Sequence, residues 1–546
     1  MGVIESFLLS QNGITLLACG GGFLVLSLLP KSARNQLSGG RWAEKRHRMA
    51  ARAEAIRQLT QRRRNAVALY LGNPARPNDP RPIYLPNVER GVAVLGAPGS
   101  GKTFSVIDPA IRSALLEGLP LILYDFKYPT QSARAAAYAR SLGYDVRIFA
   151  PGFAESDVCN PLDFLSDATD AETARQMATV LNRNFRLVTD GKDDPFFTNA
   201  GDQLVEAILM AAKASPFPDI MMCQALLSLD DLAGRVERAD LNYWVRSSFS
   251  QLLSVKQSEK TVASIAATAT AVFTRFMKPS VLAAFTGETT LPLDLSGRQM
   301  LIFGMDRQRR DVVGPLLATV LHLVVTRNVV RRRTDPLIVS LDELPTIFLP
   351  SLVQWLNENR EDGLACILGF QNLAQLEKAY GKDTARAISG ACATKAIFNP
   401  GEYESAKVFS DFLGDEEIKE KQKSKGTSGG KASSNVTQQS KTRKLYEPSA
   451  FLKLQRGRCV LISPGRQDQS EASIPAIEKI RIPKADIAAF EASERLWDNL
   501  REELIARSSQ RKPSQQDLQQ RYEAAELLFK KVPDEESLKN RLQQIL

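Results

Sequence analysis

"VAVLGAPGSGKTFSVID", residues 92–108, decides the fold. Its first four residues read as a buried strand. Gly96, Ala97, Pro98, Gly99, Ser100, Gly101, Lys102 and Thr103 then satisfy the pattern GxxxxGK[ST], and "KTFSVIDPAIRSALLEG" reads as the helix that leaves the loop. Glycines let the backbone curl so that its N–H groups face phosphate oxygens, and the helix N-terminus favours the same negative charge. In such a loop Lys102 reaches the outer phosphates and the Thr103 hydroxyl enters a magnesium shell, while Phe104 completes the nucleotide-binding set. The expected cofactors are ATP and Mg2+.

Hydrolysis of a triphosphate also needs a carboxylate for the magnesium shell and a base for water, both at a strand end. "PLIVSLDELP", residues 336–345, supplies an apolar strand ending in Asp342 and Glu343. Asp342 is the expected metal-shell residue, acting through water, and Glu343 the expected general base. Lys102 and Asp342 stand 240 positions apart, far more than a minimal nucleotide-binding core places between these elements, so something is inserted between them.

Strand-like runs surround the gap: "PLILYDF" and "YDVRIFAPG" before it, "RQMLIFGM", "LACILGFQ", "TKAIFNPG" and "RCVLISPG" after it. Short apolar runs alternating with helical patterns predict an α/β fold, a RecA-like P-loop core with a mainly parallel sheet covered by helices. Ligands of such sheets bind at the carboxyl ends of the strands. From 167 to 291 the apolar spacing turns helical, as in "NAGDQLVEAILMAAKA" and "EKTVASIAATATAVFTRFM", which predicts an inserted all-α domain. The nucleotide-binding domain therefore reads as two parts, 81–166 and 292–483. "VVGPLLATVLHLVVTRNVV" is apolar enough to resemble a membrane span, but it is short and carries His322, so it reads as buried core.

At 546 residues the chain exceeds the roughly 250–300 at which single cores stop growing, so at least two folded units are expected. The net charge of +10 suits an anionic partner, nucleic acid or a membrane surface, or else only keeps a large protein soluble. Six scattered cysteines without a CxxC pair, and only two histidines, argue against zinc sites and a disulfide framework. Between Ser6 and Pro30 there is no charged side chain, which predicts a transmembrane anchor over 1–30. A basic linker over 31–80 follows, rich in arginine up to Arg62, Arg63 and Arg64, and places the bulk of the chain in the cytoplasm. Its segment 41–64 reads as an interfacial helix on anionic lipid or a solvated helical stalk.

Several segments in order, "GAPGSGKT", "LYDFK" with Asp125 and Lys127, "IFAPG" followed by "NPLDFL", "SLDEL", "GFQNLAQLEKAYG" and "YESAKVFSDFLG", resemble the type IV coupling proteins of the TraG/TraD kind. The resemblance spans roughly 85–465. It implies a membrane-anchored ATPase, a ring of six subunits, at the bacterial inner membrane. The implied partners are DNA, a relaxase or other secreted protein, and type IV secretion channel components. It further implies that Gln371 senses the terminal phosphate, and that Arg360 and Arg90 reach a neighbouring subunit's nucleotide. An ordinary surface ion pair is the other reading of both arginines. The chain departs from the family pattern after Lys127, where Tyr128, Pro129 and Thr130 stand in place of a glycine and an acid. It also shows one span where many members have two.

Residues 415–445 are basic, polar and rich in serine and glycine, which predicts a flexible loop that either touches DNA phosphates or is merely solvated. The tail, 484–546, is charged and helix-prone, and reads as docking a partner or packing on a neighbour. Three functions follow: a translocating motor for DNA or nucleoprotein, a docking platform that binds ATP without motor activity, and a chromosome-segregation translocase.

Overall fold

The computed structural model describes residues 39–189, 195–428, 431–467, 471 and 473–531. The expected membrane anchor, 1–30, lies outside the described residues. The described residues divide into two compact units, one within 42–407 and 448–531, the other within 39–41 and 408–447.

The larger unit is built on a nine-stranded sheet. Its strands are β3 (Val92–Leu95), β4 (Leu121–Asp125), β5 (Asp145–Phe149), β6 (Gln299–Gly304), β7 (Leu337–Leu341), β8 (Leu364–Phe370), β9 (Thr394–Ile397), β12 (Arg458–Ile462) and β13 (Ala476–Lys479). Their order is β13-β12-β9-β3-β8-β7-β4-β6-β5. Seven strands, from β9 to β5, run parallel, and β12 and β13 add an antiparallel edge. Every residue of β3, β4, β7 and β8 is buried, as expected of strands covered by helices on both faces, and their sequences are accordingly near-continuous apolar runs.

Register sets the site. Leu95 pairs with Phe370 and with Ile397, and Leu341 with Leu368. The carboxyl ends of β3, β8 and β7 thus finish side by side, and the residues that follow them, Gly96, Gln371 and Asp342, emerge at one edge of the sheet. Thr103–Ile107 leave the glycine loop as a single π-helical turn before the helix Asp108–Leu116. Pro109 has no N–H to give the carbonyl four residues back, which removes one α-helical bond at this junction.

Between β5 and β6 the described residues contain no strand, only helices, including Ala171–Thr189, Pro195–Lys213 and Glu259–Thr274. The apolar stretch Arg307–Val329 is long enough to cross a membrane, but 89% of its most apolar window is buried in the protein. It is a core helix, as its sequence predicts.

Three segments differ from expectation. Residues read as a linker carry the helix Lys45–Gln61 and the strand β1 (Leu69–Leu71), which pairs antiparallel with β2 (Ile83–Leu85) just beyond them. One face of that helix, His47, Ala51, Ala55 and Gln58, is buried, so it is no free stalk. The helix Lys484–Arg507 packs on the chain's own helix Thr130–Ser141. Phe490, Trp497, Leu500 and Leu504, spaced to share one face, are buried, and Ser493 Oγ donates to the Ala133 carbonyl at 2.7 Å. In the smaller unit, the expected flexible loop forms β10 (Asp415–Ser428) and β11 (Lys431–Lys444), an antiparallel hairpin held in register from Asp415–Lys444 to Ser428–Lys431.

Candidate nucleotide-binding site

The phosphate loop bends where only glycine is relaxed: Gly99 and Gly101 have φ of +80° and +95°. Gly96 is required for space, since a Cβ there would lie 2.7 Å from Phe398 Cβ. Neighbouring strands brace the loop through Ala97 N–H to the Asn399 carbonyl (2.8 Å) and Gly457 N–H to the Ser100 carbonyl (3.0 Å).

Asp342 and Glu343 follow β7 into the same edge. Thr103 Oγ1 donates to Asp342 Oδ2 at 2.7 Å, and Lys102 Nζ to Glu343 Oε2 at 3.1 Å. Lys102 Nζ also lies 4.0 Å from Asp342 Oδ1. Burial pushes the Asp342 carboxyl above the usual carboxylate range, while the Lys102 charge and the Thr103 hydroxyl pull it back. Because β8 separates β3 from β7, it must pass close to this carboxylate; a Cβ at Gly369 would collide with Asp342 Oδ1.

Glu343 has φ +64° and ψ +45°, the left-handed region that a glutamate seldom occupies. Its backbone is held there by its own N–H to Asp342 Oδ1 (3.0 Å) and by Thr346 Oγ1 donating to its carbonyl (2.7 Å). The Tyr124 hydroxyl meets Thr346 Oγ1 at 2.9 Å. Gln371 Nε2 donates to Glu343 Oε1, and Gln375 Nε2 to Gln371 Oε1 at 3.2 Å. Gln375 belongs to the helix Leu373–Tyr380, so a chain of bonds runs from Lys102 through Glu343 and Gln371 into that helix.

Lys102, Thr103, Asp342, Glu343 and Gln371 line a cavity of about 330 Å³ with Ala97, Pro98, Gly99, Gly101 and Phe104. Gly96 and Ser100, the other members of the expected nucleotide-binding loop, do not line the cavity; the Ser100 N–H donates to the Ala97 carbonyl at 3.1 Å. Asp125 and Lys127 also line the cavity. The Asp125 carboxylate accepts from Gln131 N–H (2.9 Å) and Ser132 N–H (2.8 Å), so it caps the helix Thr130–Ser141. Arg90 and Arg360 do not line the cavity. They are exposed, before the amino ends of β3 and β8, and both bring positive charge to the buried Glu89.

Sequence reasoning missed five wall residues, Phe126, Thr130, Gln131, Arg134 and Arg456. Arg456 stands in "LQRGRCV", where nothing but the folded sheet reveals that it faces a loop more than three hundred residues earlier.

The donor set fits a magnesium nucleotide. Backbone N–H groups at a helix start, one lysine, one hydroxyl and two carboxylates converge on a cavity with space for a phosphate chain. Residues 82–475 match the family model described as the type IV secretion-system coupling protein DNA-binding domain. The coupling protein TraD of Escherichia coli (strain K12) is 24% identical over 381 residues, which cover 66% of this chain and 49% of TraD. The chain thus spans about half the length of that relative. Among solved structures, the unbound monoclinic form of the bacterial conjugative coupling protein TrwBdeltaN70 superposes with a TM-score of 0.56 at 15% identity, over 82% of this chain and 94% of that one. The plasmid coupling protein TrwB in complex with ADP and Mg2+ gives 0.54 at 16% identity, over 72% and 86%. At these identities the likeness is one of fold. The family match takes in the glycine loop, the acidic pair and the glutamine alike, and by it the chain belongs to the type IV secretion-system coupling proteins.

Proposed function

We propose that this protein is an ATP-driven motor, anchored in the bacterial inner membrane. It would pass DNA or a nucleoprotein, such as a relaxase bound to DNA, to a type IV secretion channel. The observation that carries this reading is the convergence of Lys102, Thr103, Asp342, Glu343 and Gln371 on one cavity from distant parts of the chain.

Thr103 directly and Asp342 through water would hold magnesium, which when bound neutralises charge on the phosphates. Lys102 would leave its ion pair with Glu343 for the outer phosphates and so free that carboxylate to take a proton from water. Gln371 would pass the state of the terminal phosphate to the helix Leu373–Tyr380 through Gln375. Arg360 and Arg90, remote from their own cavity, would act on the nucleotide of an adjacent copy in a ring of six.

The test is ATP hydrolysis by the full-length chain with and without DNA. A motor gives hydrolysis that DNA accelerates, with DNA affinity that falls steeply as salt rises. Hydrolysis that ignores DNA at every salt concentration would instead leave a docking platform.

A further inference from the structure

The cavity wall carries four cationic side chains, Lys102, Lys127, Arg134 and Arg456. Lys102 is engaged by Glu343 at 3.1 Å, and Arg134 by Asp108 at 3.2 Å and Glu494 at 2.8 Å. Among the described residues Arg456 makes no ion pair. Its stem is nevertheless seated on the phosphate loop: a Cβ on Gly101 would lie 3.4 Å from Arg456 Cγ and 3.1 Å from Gly457 N. Gly457, at φ +75°, allows this approach and fixes it by donating its N–H to the Ser100 carbonyl at 3.0 Å. An unpaired guanidinium is therefore fixed at its root beside the glycine loop, on the wall of the cavity that loop lines.

We propose that Arg456 is a phosphate-binding residue of the nucleotide site, supplied by the same chain as the loop, its guanidinium fork bonding oxygens of a nucleoside diphosphate or triphosphate. This rests on the reading of the cavity as a nucleotide site. A planar fork with several N–H donors suits two phosphate oxygens at once, and a charge-assisted bond of this kind is among the stronger ones a protein makes. The stem of Arg456 lies beside Gly101, and among the described residues no hydrogen bond joins it to Glu343 or Gln371. Its contribution accordingly falls on phosphates that ADP and ATP share, and so on binding rather than on the chemical step.

Calorimetric titration of the full-length chain with Mg·ADP, and competition by inorganic pyrophosphate, test this. Arg456→Ala is expected to weaken both ligands by about 10- to 100-fold, the worth of hydrogen bonds to a charged group. It should raise KM for ATP, leave kcat within a few-fold and leave the unfolding temperature unchanged, the side chain being exposed. Arg456→Lys should recover part of the loss. Parental affinity for ADP in Arg456→Ala overturns the proposal. So does a fall in kcat at unchanged KM, which would mark a transition-state role, or a loss for ADP without one for pyrophosphate, which would put the arginine on the base. A parent chain that binds no ADP overturns the nucleotide reading itself and this inference with it.

Discussion

Glu343 is where the local geometry is most constrained. A glutamate in the left-handed region is costly by about 1–3 kcal/mol, and here two hydrogen bonds, from Thr346 and to Asp342, hold it. The reward is placement: the carboxylate reaches Lys102 and Gln371 together. Glu343→Gln keeps the shape and removes the base. It should lower kcat by about 10²- to 10⁴-fold while ADP affinity changes by only a few-fold, in steady-state assays paired with calorimetry. A kcat within threefold of the parent would remove Glu343 from the chemistry. Thr346→Val deletes the bond that props the glutamate backbone, and should cost about 1 kcal/mol of stability in denaturant titrations together with part of the activity. Equal midpoints for parent and variant would show that the bond holds nothing. The acidic pair was legible from sequence because an apolar run ended in it in a chain that also carries a phosphate-binding glycine loop. Thr346, Tyr124 and Arg456 were not, since each matters only through a contact made after folding.

At the scale of elements, period and length decided what could be read. The strands β3, β4, β7 and β8 were visible as apolar runs because each is covered on both faces, and the helix Arg310–Val329, long enough to cross a membrane, was separable from a span by His322. The hairpin of β10 and β11 was not visible, because its residues show no apolar alternation from which a strand with one buried face is recognised. The helix Lys45–Gln61 hides its contact in two alanines, a histidine and a glutamine, residues that announce no core. His322 itself has a consequence. It lies buried, stacked on Trp355 with ring centroids 5.4 Å apart, and burial lowers its pKa from 6.5 to about 4. Between those values the unfolded chain binds more protons than the folded one, so stability is retained above pH 6.5 and lost as pH falls towards 4. The loss amounts to at most about 3 kcal/mol. His322→Leu should flatten this part of the stability profile in unfolding measured at pH 7 and pH 4.5. An equal acid loss in both proteins would show that His322 does not supply it.

For the whole molecule the decisive fact is what one copy lacks. Its cavity contains an acid pair, a lysine and a glutamine, but Arg360 is outside it and exposed before β8. If Arg360 serves the chemistry, it serves a neighbour's site across a head-to-tail interface, and each active unit is then made of two chains. Lys102→Ala destroys its own site but leaves a sound Arg360 to offer; Arg360→Ala keeps a sound site but offers nothing. Each variant alone should therefore hydrolyse ATP poorly. Equimolar mixing, with subunit exchange verified by co-purification of differently tagged copies, should pair an intact Lys102 with a neighbour's intact Arg360 at about one interface in four. Hydrolysis should recover to about that fraction of the parent's rate. No recovery in assemblies that demonstrably contain both variants would confine Arg360 to its own chain and leave the exposed ion-pair reading standing.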